Sequence, residues 1–590
     1  MRALRPAREP AQTARLLLRF RAGEEFRTDY NPNLALAPDG SGLIYHGPGA
    51  NSPTQLWFRH WDQLQAQRLA QSEPESCCAV FSPSGDTVAY LSSPRQLHLM
   101  PLIGGVPTTL PDLGVSSVSD VGGGIDWGAD GRLYAVGPEG LLRIDPVRRT
   151  KEVLARPDTA RGQLLLLWPQ LLPGGKAAIV SVLAKDAPSD PTRSSIGVAN
   201  FATGRVETIL QGIRAIYAPS GHLLVVGPAG VLRAVPFDVH ALRPTGPPRD
   251  LPDTVAARFG NAIAGIVEIA LDPKGTLAYT AGSEVSLQPA IVERSGASRL
   301  LGDSVKYSVV DGLAFSPDGK RLVMSVGGEG GAQMLYVEPA RGGPRVRLTF
   351  DGSANSRPRW RPGTNEISYT SDRERVGSPG LRLYARDAGG QGAVRRIAIG
   401  DARAVGGHTW SPDGKWLVIR TDNQEPGAGD ILAIRPGIDT VARVLVATAA
   451  EELAPEISPD GRWMVYTSNE SGRRQVYVRP FPDAAEARYQ ISTAGGHEPE
   501  WSRDGRELFF LDDAQRMIAV PVTPGPIFQT GAPAVLFDAS SFNTSVFHPQ
   551  YAPTPDGRGF LMQRQQAGTA FGIVVVFNFL DELRRRMAAH

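Results

Sequence analysis

Seven residues of this chain are of types that could do chemistry at one site: Arg357, Arg359, His408, Glu452, Glu456, His497 and Glu498. Histidine can move protons near neutral pH, carboxylates can accept protons or bind cations, and arginine can hold anions. The two histidines sit in matched settings, Gly406-Gly407-His408 and Gly495-Gly496-His497. A zinc site would need a third aligned ligand, and none accompanies them. The chemistry this set supports is recognition of a polar ligand or a peptide. The rival is an enzyme, a hydrolase or lyase, using a His, Asp and Glu constellation around a bound water or metal. No cofactor is expected, and a divalent metal held in a channel is the alternative left open. The two cysteines, Cys77 and Cys78, are adjacent. They cannot staple distant segments, so a disulfide framework and a cysteine zinc cluster are excluded; packing at a strand start is the preferred reading over a catalytic thiol.

A recurring turn must position these residues. Leu36-Ala37-Pro38-Asp39-Gly40 returns as Phe81-Ser82-Pro83-Ser84-Gly85, Phe315-Ser316-Pro317-Asp318-Gly319 and Trp410-Ser411-Pro412-Asp413-Gly414. Counted by its last glycine, it stands at Gly40, Gly85, Gly131, Gly175, Gly221, Gly275, Gly319, Gly363 (a degenerate copy), Gly414, Gly461, Gly505 and Gly557, 44 to 54 residues apart. Proline pre-sets φ, aspartate bonds to nearby backbone, and glycine takes a conformation other residues resist. This recurrence assigns Asp39, Asp318, Asp413, Asp460, Asp504 and Asp556 to turns rather than to catalysis. It assigns Phe81, Trp127, Phe315, Trp360, Trp410 and Trp501 to packing between repeats.

The copy at 313–349 parses into four short strands, at 313–316, 321–326, 333–337 and 345–349, with no helical periodicity. Four short antiparallel strands about every 45 residues make a propeller blade. The fold class is therefore all-β: tandem β-propellers of twelve four-stranded blades, most simply divided into two six-bladed rings. The expected organisation is a flexible tail at 1–13, a closing strand at 14–20, a first propeller at 21–295, a second at 296–578, and a short helix or tail at 579–590. Residues 551–577 supply only three strands, and the strand at 14–20 is the candidate fourth, pairing with the last blade to close its ring. The first strand of a blade is innermost, so residues just before it approach one mouth of the channel. That places the seven polar residues around the mouth of the second ring. The matching first-ring residues are Glu73, Glu75, Cys77, Asp120 and Asp126. Departures from the period at 184–193, 238–257, 371–380, 422–429 and 524–548 are candidate loops for recognition.

The repeats resemble the PD40, or TolB-like, β-propeller repeat over residues 30–565. The stretch Gln475-Val476-Tyr477-Val478-Arg479-Pro480-Phe481-Pro482, then Gly495-Gly496, Pro499 and Trp501-Ser502-Arg503-Asp504-Gly505-Arg506-Glu507-Leu508-Phe509-Phe510, is similar to the C-terminal propeller region of bacterial serine/threonine protein kinases. Leu56–Arg59 in the sequence Leu-Trp-Phe-Arg and the ending Phe577-Asn578-Phe579-Leu580-Asp581-Glu582-Leu583 resemble that group as well. The resemblance implies a sensor or protein-interaction module, either stand-alone or the separated sensor part of a kinase system. It does not carry an activity over. The kinase Gly-rich loop, Val-Ala-Ile-Lys, His-Arg-Asp and Asp-Phe-Gly elements are missing, as is the Gly-x-Ser-x-Gly elbow of α/β-hydrolases.

Composition narrows the partners. Lys plus Arg number 62 against 60 Asp plus Glu, and the basic runs at 2–8 and 584–586 are short, so nucleic acid is not an expected partner. No apolar stretch reaches membrane-spanning length, so membrane insertion is not expected either. Leu16-Leu17-Leu18 is too short for a signal core, which makes the expected location cytoplasmic, and periplasmic only if the true start is missing. The expected partner is a protein, a peptide or a small polar ligand at a propeller face.

Overall fold

The structure, a computed structural model, describes residues 12–588 apart from 22, 28–33, 50–53, 70–71, 73–75, 93–95, 116–122, 187–189, 261–262, 283–286, 302–311, 328–332, 353, 375–380, 400–403, 422–428, 546 and 566–571. Glu73, Glu75 and Asp120 lie outside the described residues, as do most of the tail at 1–13 and parts of the loops at 184–193, 371–380 and 422–429.

Each repeated turn is locked by its own side chains. In the copy at Ser316, the hydroxyl donates to Asp318 Oδ1 at 2.6 Å and accepts from the Arg321 N–H at 2.9 Å, while Asp318 Oδ1 accepts from the Lys320 N–H at 3.1 Å. Ser411 with Asp413, Ser458 with Asp460, Ser502 with Asp504 and Thr554 with Asp556 repeat the arrangement. The aspartates are thus spent on turn geometry. The closing glycine needs a left-handed backbone; at Gly414, φ is +66° and an added Cβ would lie 2.7 Å from the Pro362 carbonyl oxygen.

The strands build twelve antiparallel blades and, besides them, one hairpin of Ala257–Gly260 with Ile263–Val267. The innermost strands of six blades touch in a closed circle: Ala35–Leu36, Cys77–Phe81, Ile125–Trp127, Gln163–Leu171, Arg214–Ala218, Ile269–Leu271 and back to the first. A second circle runs through Ala552–Pro553, Leu313–Phe315, Asn355–Trp360, Val405–Trp410, Glu452–Ile457, His497–Trp501 and back. The fold is therefore two six-bladed propellers. Apolar side chains fill the gaps between neighbouring blades, as in the cluster of Val323, Leu335, Trp360, Ile367 and Tyr369. The repeated tryptophans also reach the previous blade: Trp360 Nε1 donates to the Ala314 carbonyl (3.3 Å) and Trp410 Nε1 to Ser368 Oγ (2.8 Å).

The pairing moves strands across the boundary expected near 295. Leu277–Ala281 and Leu287–Glu293 are consecutive in the chain but do not pair with each other. Leu277–Ala281 pairs with Gly572–Phe577, and Leu287–Glu293 pairs with Gly559–Gln565. Each ring thus has one blade assembled from both sides of the crossovers, and the second ring is inserted between two strands of the first ring's last blade. The N-terminal strand Ala14–Leu17 does pair with Gly572–Phe577, but that sheet belongs to the first ring, not to the blade containing Tyr551. The reason is burial. Gly572–Phe577 is apolar on both faces; Ile573 and Val575 pack on Leu43 and Tyr45, while Val576 packs on Ile269, Leu277 and Phe579. In the first ring it has apolar neighbours on both sides.

A polar latch ties this closure together. Arg15 donates to both carboxylate oxygens of Asp253, at 3.0 and 2.9 Å, and lies 3.0 Å from Glu582 of the terminal helix Phe579–Ala588. The Tyr279 hydroxyl donates to Asp253 Oδ1 at 2.8 Å. The helix buries Phe579, Leu580 and Leu583 in the first ring's core. Among the described residues, no helix is long and apolar enough to cross a membrane.

Candidate functional site

Three innermost strands of the second ring share one irregularity. Arg357 (φ 53°), Ala454 (φ 50°) and Glu498 (φ 53°) are left-handed non-glycine residues, and each is followed by proline. Pairing with the second strand slips there, between Ser356 and Arg359, Leu453 and Glu456, and His497 and Glu500. Proline has no N–H to give to a ladder, so it fits where the ladder is already broken. A bulge re-aims the side chain that follows it. Here it brings Arg359, Glu456 and Glu500 inward to meet one another.

The distances show that they meet on the axis. Arg359 lies 2.6 Å from Glu456 and 3.8 Å from Glu500, and the Thr409 hydroxyl donates to Glu456 Oε2 at 2.7 Å. The strands of Arg359 and Glu500 are three blades apart in a circle of six, so a contact between them crosses the channel. The channel of the second ring is plugged by one guanidinium and two carboxylates. Burial pushes the Arg359 guanidinium down, but Glu456 and Glu500 outweigh it and hold it above its ordinary range. Burial pushes the Glu500 carboxyl well up, the Glu456 charge adds to this, and Arg359 opposes it.

At this plug lies a narrow cleft of about 20 Å³. Its walls include Arg357, Arg359, His408 and Glu456 from the blades, with Phe547 and His548 from the loop that precedes the closing blade. Four of the seven sequence-selected residues therefore share one cavity. They lie within the innermost strands rather than upstream of them, because the bulges extend those strands toward the mouth. His408 turns toward the previous blade, where Nε2 meets Ser368 Oγ at 2.8 Å. Burial, then Arg359 and Arg357, push its pKa down to about 3, so it is a neutral ring.

The other three residues have different surroundings. Glu452 is fully buried and accepts from the Thr448 hydroxyl at 2.5 Å; burial pushes its pKa up to about 7. His497 is buried with Nε2 3.4 Å from Gln515 Nε2, on a different blade from His408. Glu498 holds the loop that walls the cleft: its carboxylate accepts the N–H groups of Ser545 (2.5 Å) and Gln550 (2.6 Å), and its carbonyl accepts the Tyr551 hydroxyl (2.8 Å). Glu498→Ala is expected to leave both N–H groups without their carboxylate. The expected result is a loss of about 2–3 kcal/mol and cleavage by chymotrypsin at Phe547 roughly tenfold faster than in the parent. An unchanged digestion pattern would show that the clamp does not hold the loop.

Sequence reasoning did not single out Glu500 or Thr409, and it marked the loop at 524–548 as a candidate for recognition without singling out Phe547 or His548. The signal for the first two was present: Arg359, Thr409, Glu456 and Glu500 each stand immediately before the turn-entry residue of their repeat, at Trp360, Trp410, Ile457 and Trp501. The loop residues had no repeat to align them. In the first ring, Asp126 occupies the same repeat position; it accepts the Leu171 N–H at 2.6 Å and the Trp127 N–H at 2.9 Å, a bond to the next blade rather than an open acid. Among the described residues, no group of three His, Cys, Asp or Glu side chains is arranged to hold a metal ion.

Residues 295–428, which lie within the second ring's span, match the family model described as the TolB beta propeller domain, PD40. Those residues are similar to the TolB propeller domain. An uncharacterized protein of Agrobacterium fabrum is 25% identical over 236 residues, a match covering 36% of this chain and 75% of that one. A TolB homolog of Chlorobium luteolum is 32% identical over 219 residues, covering 35% of this chain and 48% of the homolog. The chain spans about half the length of that homolog. A solved TolB-type structure from Agrobacterium tumefaciens, 19% identical, aligns with a TM-score of 0.37 over 48% of this chain and 99% of its own.

Proposed function

We propose that this protein is a non-enzymatic binding module, and that the mouth of its second ring receives a peptide segment of a protein partner or a small polar ligand. The observation that carries this reading is the mouth of a plugged channel, where Arg357, His408 and Phe547 line a narrow cleft. Its polar walls are already engaged: Arg359 with Glu456, His408 with Ser368, and Arg357 with the Gly406 carbonyl. Such walls offer fixed charges and ring faces for recognition at little conformational cost, and the Ser368–His408 pair is buried between two blades.

The test is selection of peptides from a displayed library on the immobilised chain, followed by affinity measurement on variants. Phe547→Ala and Arg357→Ala are each expected to weaken the selected peptides about tenfold or more. Ile103→Ser, at a 95% exposed residue of the first ring, is expected to leave them unchanged. Peptides indifferent to both cleft variants would overturn the site.

A further inference from the structure

The first ring has irregular mouth residues of its own, Trp168 and Cys78, and Cys78 is chemically unlike the others. Cys78 stands at the repeat position of Arg357, Ala454 and Glu498. Its backbone is left-handed, with φ 58°, and pairing slips between Cys77 and Val80. Two of those equivalents, Arg357 and Ala454, line the mouth cleft of the second ring. The two cysteines are 3% and 8% exposed, and their sulfurs approach to 2.9 Å without being bonded. Adjacent side chains on a regular strand point to opposite faces. The bulge at Cys78 cancels that alternation and turns both thiols to one side.

Arg214 stands nearby. Its guanidinium lies over the Trp168 ring, 5.6 Å from the centroid, and donates to the Val267 carbonyl at 2.6 Å. Burial pushes Arg214 down to about 10, against the pull of Glu268 and Cys78.

We propose that Cys77 and Cys78 are a redox-modification site at the mouth of the first ring, a dithiol that a low-molecular-weight disulfide converts reversibly into a vicinal disulfide. The Cys78 thiolate attacks one sulfur of the incoming disulfide, forming a mixed disulfide and releasing one thiolate. Cys77 then attacks Cys78 Sγ, closing the Cys77–Cys78 bond and releasing the second thiolate. The two protons lost by the cysteines leave on the two released thiols, and the two electrons pass to the incoming disulfide. Consecutive Cα atoms lie only about 3.8 Å apart, short of the usual disulfide range of about 4.4–6.8 Å. A bond closed at that spacing is strained and readily reduced, as reversible disulfides are. The 8% exposure of Cys78 restricts attack to small reagents.

The full chain incubated with glutathione disulfide, then denatured, alkylated and weighed intact, is expected to lose both alkylatable thiols with the loss of two hydrogens, no adduct and no dimer. Dithiothreitol is expected to restore both thiols. In Cys77→Ser the same treatment is expected to leave one persistent glutathione adduct on Cys78. Because the first measurement uses the unaltered chain, it stands even if the variant fails to fold. Retention of both thiols under conditions that oxidise free dithiothreitol would overturn the proposal, as would two persistent adducts or a disulfide-linked dimer.

Discussion

Arg359→Met lowers the stability of the second ring by about 3–5 kcal/mol, and the loss deepens as pH rises. Removing the guanidinium leaves Glu456 and Glu500 facing each other across a buried channel with no cation between them. Methionine keeps most of the volume, so the effect is electrostatic rather than a cavity. In the parent chain the Glu500 carboxyl is already held well above its ordinary value by burial and by Glu456. Without Arg359 that value rises further. A carboxyl whose folded pKa exceeds its unfolded one binds a proton in the folded state that the unfolded chain releases. Folding is then favoured below the unfolded value, and stability is lost as pH climbs through the raised one. The measurement is urea unfolding at about pH 5 and about pH 8, followed by the fluorescence of Trp360, Trp410, Trp463 and Trp501. The expected midpoint falls at both, more at the higher pH; a variant that unfolds like the parent at both would mean the channel ions are solvated. Thr409→Val, which removes one hydrogen bond to Glu456, is expected to cost only about 1 kcal/mol.

Asp253→Ala is expected to unlatch the first ring at a cost of about 2–4 kcal/mol. The carboxylate is 4% exposed at the side chain and holds Arg15 of the N-terminal strand and the Tyr279 hydroxyl together. Arg15 is 35% exposed, so water takes up part of its lost pairing, which sets the figure below that for Arg359. Burial pushes the Asp253 carboxyl up, but the hydrogen bonds from Arg15 and Tyr279 outweigh it and hold it below the ordinary range; the same balance, led by burial and overcome by Arg15, holds Glu582 low. A depressed carboxyl stabilises the fold above its unfolded pKa, and that contribution disappears as pH falls through the folded one. The parent chain is therefore expected to loosen at its N-terminal strand as pH drops below about 4, and the variant to be loose already at neutral pH. Hydrogen exchange of the amides paired between Ala14–Leu17 and Gly572–Phe577 reads both. Equal protection in parent and variant at neutral pH would assign the closure to apolar packing alone.

Much of the architecture was legible because it repeats. The turn at Ser316, Asp318 and Gly319 solves a local problem with local atoms, so its twelve copies announce themselves and count the blades. The tryptophans and turn aspartates were readable as scaffold for the same reason. The channel residues were half legible. Arg359 and Glu456 were found, whereas Glu500 and Thr409 hold the same repeat position and were not singled out. Which polar side chain faces the axis depends on bulges that slip the register by one residue, and a one-residue slip exchanges the two faces of a strand. The role of Glu498 was not legible at all, since its partners, Ser545 and Gln550, belong to a loop outside the repeat.

By itself the sequence determined an all-β chain, its blade count, its turns and the residue types available at each mouth, because these follow from period, short-range hydrogen bonding and composition. The tertiary structure alone decided which strands pair across the crossovers at 281–287 and 565–572, and so which ring each end of the chain closes. It also decided that Arg359 neutralises two carboxylates from distant blades, and that Cys77 and Cys78 share one face. Those outcomes depend on long-range burial: a strand apolar on both sides, such as Gly572–Phe577, goes wherever both faces can be covered, and no local pattern names that place.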